Sequence, residues 1–494
     1  MIKKWTAAAL VTVLSVSSLA ACTKSSGDDK KERVLRIATS FGYGDENEYI
    51  RREYTELFEF ANPNIKIEFI ATNDDRFMYK APGPDEKMED PMEKLKEVMQ
   101  GDNPPDIVIT NFEQLPDLIE SNLLAPLDPL MTKDKFDTTG IVPLVLDGIK
   151  GLSTDGKLYG LTPTFSSPAL IYNKKMFADA GVDVPTDNMT WDQIFDLAQR
   201  LTQGEGADRK YGFSFSSQSY GDVFNSMSIY TNPLGLKMFD EKAEKLAVDN
   251  DQWEQAWTRL IDLQKQNILP GPPDQRNQNL REDPNEYNPF AYDDFLSGRV
   301  AMTIINYYDL TRINNANKNA TNIKGFTPIE WDIATVPSHA DAPGVVANIN
   351  MSGVLGINTK AGNVDDAWKL IKFINGEDWA KLRANSSGQM VSRKDHIKPK
   401  AGMEYHIEAF YNVKPSVVQN EFNKFYRTIP NIWAVQDLAR NEFQAAVQGT
   451  KSVRDALKSW QTNGDMMLQQ MRENPNGPID MGMFRGNAVA VPAG

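Results

Sequence analysis

The chain has 494 residues, of which 41% are hydrophobic and 10% aromatic, and a formal net charge of −14 at pH 7. A domain is typically about 100–200 residues, so two large lobes are expected. The acidic balance disfavours nucleic acid and anionic ligands by repulsion. The single cysteine, Cys22, excludes an internal disulfide, and His339, His396 and His406 are scattered without metal-ligand spacing. No nucleophile-elbow, HExxH or phosphate-loop motif is present, so no catalytic residue, metal or cofactor is assigned.

Lys3 and Lys4 precede an apolar run over 5–16, and small residues then lead to Cys22. This is the pattern of a signal peptide (1–21), too short for a separate membrane span. Leu19-Ala20-Ala21-Cys22 resembles the lipobox of bacterial lipoproteins. The resemblance implies cleavage before Cys22 and acylation, palmitate included, of its sulfur and new amine. Two acyl chains hold a protein stably on a membrane where one barely does. The polar segment after Cys22, to residue 32, reads as a flexible tether.

The folded part starts with a strand over 34–38, and the loop after it carries Phe41 and Tyr43. Ile50, Tyr54, Leu57, Phe58 and Ala61 predict an amphipathic helix that ends near Asn62-Pro63. Residues 65–70 alternate as a strand, Met92, Leu95, Val98 and Met99 form the next helical face, and 104–110 is a turn and strand. This β-α-β-α-β order predicts an α/β sheet with mainly parallel strands. Ligands of such sheets sit at the carboxyl ends of strands, which places Phe41, Tyr43, Asn111 and Phe112 near a cleft. Asn111 has a second reading, as the cap of the helix that follows.

Further on, Ala169-Leu170-Ile171-Tyr172 suits a buried strand, and a short helix runs to Ala180 and stops at Gly181. Thr190 and Gln193 have the capping-box spacing ahead of a helix whose face is Trp191, Ile194, Phe195, Ala198 and Leu201. Residues 211–215 form a strand, and a polar-aromatic loop with Tyr220 and Phe224 follows. Trp253, Trp257, Leu260, Ile261 and Leu263 mark another helix, 270–289 is a loop rich in Pro, Asn and Asp, and helices over 434–447 and 453–471 close the chain. The acidic cluster at 283–294 lacks a spaced EF-hand loop and reads as solvated charge.

Several passages in this order resemble the extracellular solute-binding proteins of bacterial ABC importers, in the group that contains maltodextrin-binding protein. One is Tyr159-Gly160 and Pro163, then Tyr172-Asn173, Ala180-Gly181, Pro185 and Thr190-Trp191, with the first proline one residue later than usual. Others are Pro105-Asp106 before its strand and Phe295, Gly298 and Ala301-Met302 before the loop Asn306-Tyr307-Tyr308-Asp309. The resemblance covers about 34–471. It implies a two-lobe periplasmic-binding-protein-like α/β fold, each lobe a mainly parallel sheet flanked by helices, with three hinge crossings near 162–166, 334–338 and 390–394. Lobe one is then 33–164 plus 337–392, and lobe two 165–336 plus 393–494.

The resemblance further implies capture of a solute, an oligosaccharide first, and its delivery to an ABC importer from the outer face of the cell membrane. No nucleic-acid partner is expected, and a monomer is. The spacing puts Tyr308 where the maltodextrin binder has a sugar-stacking aromatic. Flat rings suit the apolar faces of sugars, and amides or carboxylates satisfy hydroxyls, since an unsatisfied buried polar group costs about 1–3 kcal/mol. The ligand-binding candidates are Phe41, Tyr43, Asn111 and Phe112 from lobe one, and Tyr220, Phe224, Tyr307, Tyr308, Asp309 and Trp433 from lobe two, with Asn350 in a loop beside them. Core packing competes with a ligand role for each aromatic; Tyr172 and Trp191 are read as structural. The competing functions are a secreted carbohydrate-active enzyme using an Asp/Glu pair, a binder of peptides or polyamines, and a sensor's ligand-presenting partner.

Overall fold

The computed structural model describes residues 31–39, 48–72, 90–218, 223–271, 289–290, 292–384, 388–400, 402–416, 425, 429, 431–474 and 479. The signal peptide, Cys22, Phe41, Tyr43 and Tyr220 lie outside the described residues.

Two sheets organise the chain. The first has the order β2-β1-β3-β11-β4: β1 (Arg33–Thr39), β2 (Ile65–Ala71), β3 (Ile107–Asn111), β4 (Leu124–Ala125) and β11 (Ser352–Asn358). The second has the order β7-β8-β6-β9: β6 (Pro168–Asn173), β7 (Tyr211–Ser214), β8 (Val300–Asn306) and β9 (Trp331–Ala334). β3, β6 and β8 are apolar and almost wholly buried along their length, as strands covered on both faces must be.

The sheets are mixed in pairing. β1 pairs in parallel with β2 and β3, and β7 with β8, but β11 is antiparallel to β3 and β4, and β6 to β8 and β9. Each sheet thus has one reversed strand. In both cases it is the first long strand after the chain has crossed from the other sheet. Such a strand enters across the boundary between the lobes, without the helical crossover that makes a neighbour parallel.

Helices cover the sheets where the apolar spacing places them. α1 (Pro91–Gln100) starts at Asp90, whose Oδ1 accepts from the Met92 N–H (2.9 Å), and buries Met92, Leu95 and Met99. α2 is Pro143–Lys150, and α3 is Lys174–Ala180, closed by Gly181 at φ 64°. α4 (Trp191–Leu201) has the expected capping box: the Gln193 N–H donates to Thr190 Oγ1 (3.3 Å), and the Thr190 N–H donates to Gln193 Oε1 (2.8 Å). Trp191 stacks on Phe195 and meets the edge of Phe213, so it is a core residue, as is Tyr172 against Phe177.

α5 (Asp251–Lys265) packs on α9 (Trp433–Val447) and α10 (Val453–Glu473), with Trp257 stacked on Trp460 at 5.5 Å. On the first sheet, α7 (Val364–Ile374) meets the helix ending Glu56–Ala61 through Phe58 and Phe373, and α8 (Glu377–Arg383) follows it. α6 (Asp309–Lys318) begins directly beyond β8.

Between the sheets the chain runs in paired straps. β5 (Thr164–Phe165) is antiparallel to β12 (Met390–Val391). Ser392 adds a backbone bond to Pro163 (2.8 Å) and a hydroxyl bond to the Thr162 carbonyl (2.6 Å). Ser166 and Asn350 exchange both backbone hydrogen bonds at 2.8 Å. A small ribbon pairs β10 (Val345–Val346) with β13 (Lys414–Pro415).

Candidate functional site

The second sheet ends in a polar hollow. β8 is buried up to its last residue, Asn306, which lies opposite Pro168, the first residue of β6. The chain then turns into α6 without a conventional cap. Instead the Asn306 N–H donates to Asp309 Oδ2 (2.9 Å), and the Asn306 amide donates to Tyr308 Oη (3.5 Å). This turn leaves the Tyr308 ring 60% exposed at the mouth of a hollow of about 430 Å³. The opposite wall is Ser216, Ser217 and Gln218, beyond the end of β7, and Asn348 supplies an amide from the segment that leads to β11. Asn348 has φ 62°, a left-handed conformation that asparagine tolerates better than most side chains.

Arg312 holds the two sides of the hollow in register. Its guanidinium pairs closely with Asp293, donates to Ser217 Oγ (3.3 Å) and lies 3.6 Å from Asp309 Oδ1. Asp294 accepts from Arg299 at 2.8 and 2.9 Å, and its N–H donates to the Ser217 carbonyl (2.7 Å). Burial pushes the Asp309 carboxyl above its ordinary value, against the hydrogen bond from Asn306. The hollow therefore offers hydroxyls, amides, a desolvated carboxyl and one open ring. That set can hold a neutral polyhydroxylated molecule with an apolar face, and among the described residues it contains no nucleophile paired with a base. Among the described residues, no three His, Cys, Asp or Glu side chains converge as a metal site.

Of the candidates, the structure brings Tyr308 and Asp309 together here. The six other described candidates sit elsewhere. Tyr307 is buried, edge-on to Phe410 at 5.7 Å with the Lys400 ammonium 4.5 Å over its ring; in the turn between β8 and α6 it is covered while Tyr308 stays exposed, so only one of the two tyrosines opens to the hollow. Phe224 is core, 5.9 Å from Phe443 and 6.4 Å from Trp257, because α5 and α9 close over it. Trp433 is the first residue of α9 and 46% exposed, but lines none of the hollows described. Asn350 is an exposed strap residue held by its backbone to Ser166.

In lobe one, Asn111 ends β3 opposite Ser352 and precedes the 3-10 turn Phe112–Gln114, where its N–H donates to Gln114 Oε1 (3.4 Å). The capping reading describes this position. Phe112 is buried and lines a different cavity of about 600 Å³, between α2 and the β10–β13 ribbon, which shares no residue with the Tyr308 hollow. The 600 Å³ cavity is larger and also carries amides, Asn188 and Asn412, but its wall is mostly apolar and its rings, Phe112 and Tyr411, are buried while Tyr308 is open, so the smaller hollow is taken as the candidate site. Sequence reasoning missed Gln218, Asn306 and Asn348. Asn306 carried a signal, as the polar residue that ends an apolar strand; Asn348 carried none, since another segment delivers it.

A pair of α/β sheets joined by straps, with a polar hollow at strand ends, defines a two-lobe solute-binding protein. The chain belongs to the bacterial extracellular solute-binding proteins, the family that matches residues 43–381 and whose members serve ABC importers. It is similar to a binding protein of Brucella abortus (strain 2308), 24% identical over 492 residues that cover 95% of this chain and 100% of the relative. Its fold is similar to that of a sugar transporter from Rhizobium etli, in an open conformation (21% identity, 88% of this chain and 99% of the other, TM-score 0.57). It is equally similar to that of the sugar-binding protein MalE from Xanthomonas citri (18% identity, 89% and 98%, TM-score 0.57). The family binds solutes outside the cytoplasm, and no helix among the described residues is long and apolar enough to cross a membrane.

Proposed function

We propose that this protein captures a carbohydrate, an oligosaccharide, by hinge closure of its lobes and hands it to the membrane subunits of an ABC importer while tethered to the membrane through acylated Cys22. The observation that carries the sugar reading is Tyr308, an open ring flanked by Asn306, Asp309, Gln218 and Asn348 at the ends of β7 and β8. A ring takes the apolar face of a pyranose while amides and the carboxyl answer its hydroxyls. The solved structures reported above are described as a sugar transporter and a sugar-binding protein, which agrees with this chemistry. The net charge of −14 works against an anionic solute.

In this reading lobe one is 33–164 plus 337–392, lobe two is 165–336 plus 393–494, and the three crossings bend. The protein acts as a monomer and forms no covalent intermediate. A ligand that touches both lobes favours the closed state by its differential contacts, which is what an importer can read.

Calorimetry with linear neutral oligosaccharides, dipeptides and spermidine tests the reading. Saccharide binding that Tyr308→Ala weakens by tenfold or more supports it; heat from peptides or spermidine alone refutes it. New reducing ends released from a polysaccharide would instead make it an enzyme. Cys22→Ala, expressed in the native host, should shift the protein from the membrane fraction to the soluble one.

A further inference from the structure

The Tyr308 ring is the wall of two hollows. The second, of about 550 Å³, runs along α6. Its rim follows one face of the helix: Thr311, Asn315 and Asn319 succeed Tyr308 at steps of three, four and four residues, the spacing that aligns side chains along a helix. All three are exposed. Facing them is Phe290, whose ring packs on Phe326 at 4.8 Å.

The polar groups of this face are neutral. The Asn315 amide makes no hydrogen bond to any described residue. Thr311 Oγ1 accepts from Lys400 Nζ (3.0 Å), an ammonium held over the Tyr307 ring and partly desolvated. Arg312, which also borders the hollow, is directed to Asp293 and Ser217. The open Asn315 amide opposite an aromatic ring repeats the chemistry of the first hollow further along α6, where the Asn319 amide donates to the Asn315 carbonyl (2.8 Å). From Tyr308 to Asn319 the helix rises about 16 Å, more than one sugar ring occupies, and each hollow has the volume of an ordinary ligand pocket of about 300–1,000 Å³.

Resting on the carbohydrate reading of the first hollow, we infer that recognition continues over Tyr308 onto the Thr311-Asn315-Asn319 face of α6, so that the solute is a linear saccharide of several units which straddles the tyrosine. Shorter sugars occupy the first hollow alone. The second hollow selects for chain length, and Tyr308 is shared by both parts of the ligand.

The test is a length series, from a monosaccharide to a hexasaccharide of whichever neutral sugar binds, titrated into the wild type, Asn315→Leu, Asn319→Leu and Tyr308→Ala. Asn315 is exposed, so Asn315→Leu should melt with the wild type; Asn319→Leu also loses the bond from its amide to the Asn315 carbonyl, and a thermal scan verifies that both variants are folded. Expected for the wild type is a rise in affinity of tenfold or more between the shortest binder and the longer members. Asn315→Leu and Asn319→Leu should each lower affinity for the long members about fivefold and leave the shortest binder unchanged, while Tyr308→Ala weakens all. Affinity independent of length, or amide variants that alter no member or every member equally, overturns the inference and leaves the carbohydrate reading standing. If no saccharide of any length binds, that reading fails and the inference fails with it.

Discussion

Adjacent residues of one type take opposite roles here. Tyr307 and Tyr308 are identical in composition and one residue apart, yet one is core and the other is open at a hollow. Phe224 has the same history: it sits in a polar-aromatic stretch but closes the α5–α9 interface, with the Arg440 guanidinium 5.7 Å over its ring. Phe224→Ala should therefore cost about 3–5 kcal/mol of stability, read from denaturant midpoints. Ligand affinity of the folded fraction should stay near that of the wild type, the reverse of Tyr308→Ala. Asp366 makes a second prediction. Its burial raises the carboxyl, but hydrogen bonds from Arg33 (2.7 and 3.1 Å) and Asn363 (2.9 Å), with the Arg33 charge, outweigh this and hold it below its ordinary 3.8. The unfolded chain thus binds more protons, so this stabilisation is present above the unfolded value and is lost as pH falls through the folded one. Asp366→Asn should cost about 1.5–3 kcal/mol at pH 7, and the difference from wild type should shrink on acidification below pH ~4; an unchanged gap at low pH contradicts the assignment.

At the scale of elements, local signals and local structure agree closely. The Thr190–Gln193 box caps α4, Gly181 stops α3 in a left-handed turn, and the apolar faces of α1 and α4 are the buried ones. Strand direction was less legible. The βαβ rhythm makes parallel neighbours, but β6 and β11 enter by straps and run against their sheets. Helix-on-strand fit adds a constraint that periodicity does not show. A Cβ on Gly212 in β7 would lie 2.0 Å from the Ala198 carbonyl oxygen and 2.3 Å from its Cα, both backbone atoms of α4. Gly212→Ala has to lift α4 off the sheet and should destabilise by about 3 kcal/mol or more, seen as a lower urea midpoint at unchanged slope. Loss of under 1 kcal/mol would mean that α4 sits less tightly on the strand.

For the whole molecule, the straps decide what the protein can do. The β5–β12 pair and the Ser166–Asn350 exchange connect the halves through a few short backbone ladders, a construction that bends more readily than a continuous core. Saturating saccharide should lower the radius of gyration in small-angle scattering at constant mass. At a hundredfold excess over Kd it should add about 2.7 kcal/mol of apparent stability. A ligand that stabilises without compaction would argue against closure.

The sequence by itself determined the helices, the strands, the two-lobe family and the placement of Tyr308 at a strand end, because caps, apolar periodicity and motif order are local and survive in one dimension. Only the tertiary structure decided which of two neighbouring tyrosines opens to solvent, that Phe224 is covered, and that Asn348 and Gln218 meet Asn306 around one hollow. Those outcomes depend on what other segments lay across each side chain, and contacts between residues tens to hundreds of positions apart leave no periodic mark on either segment.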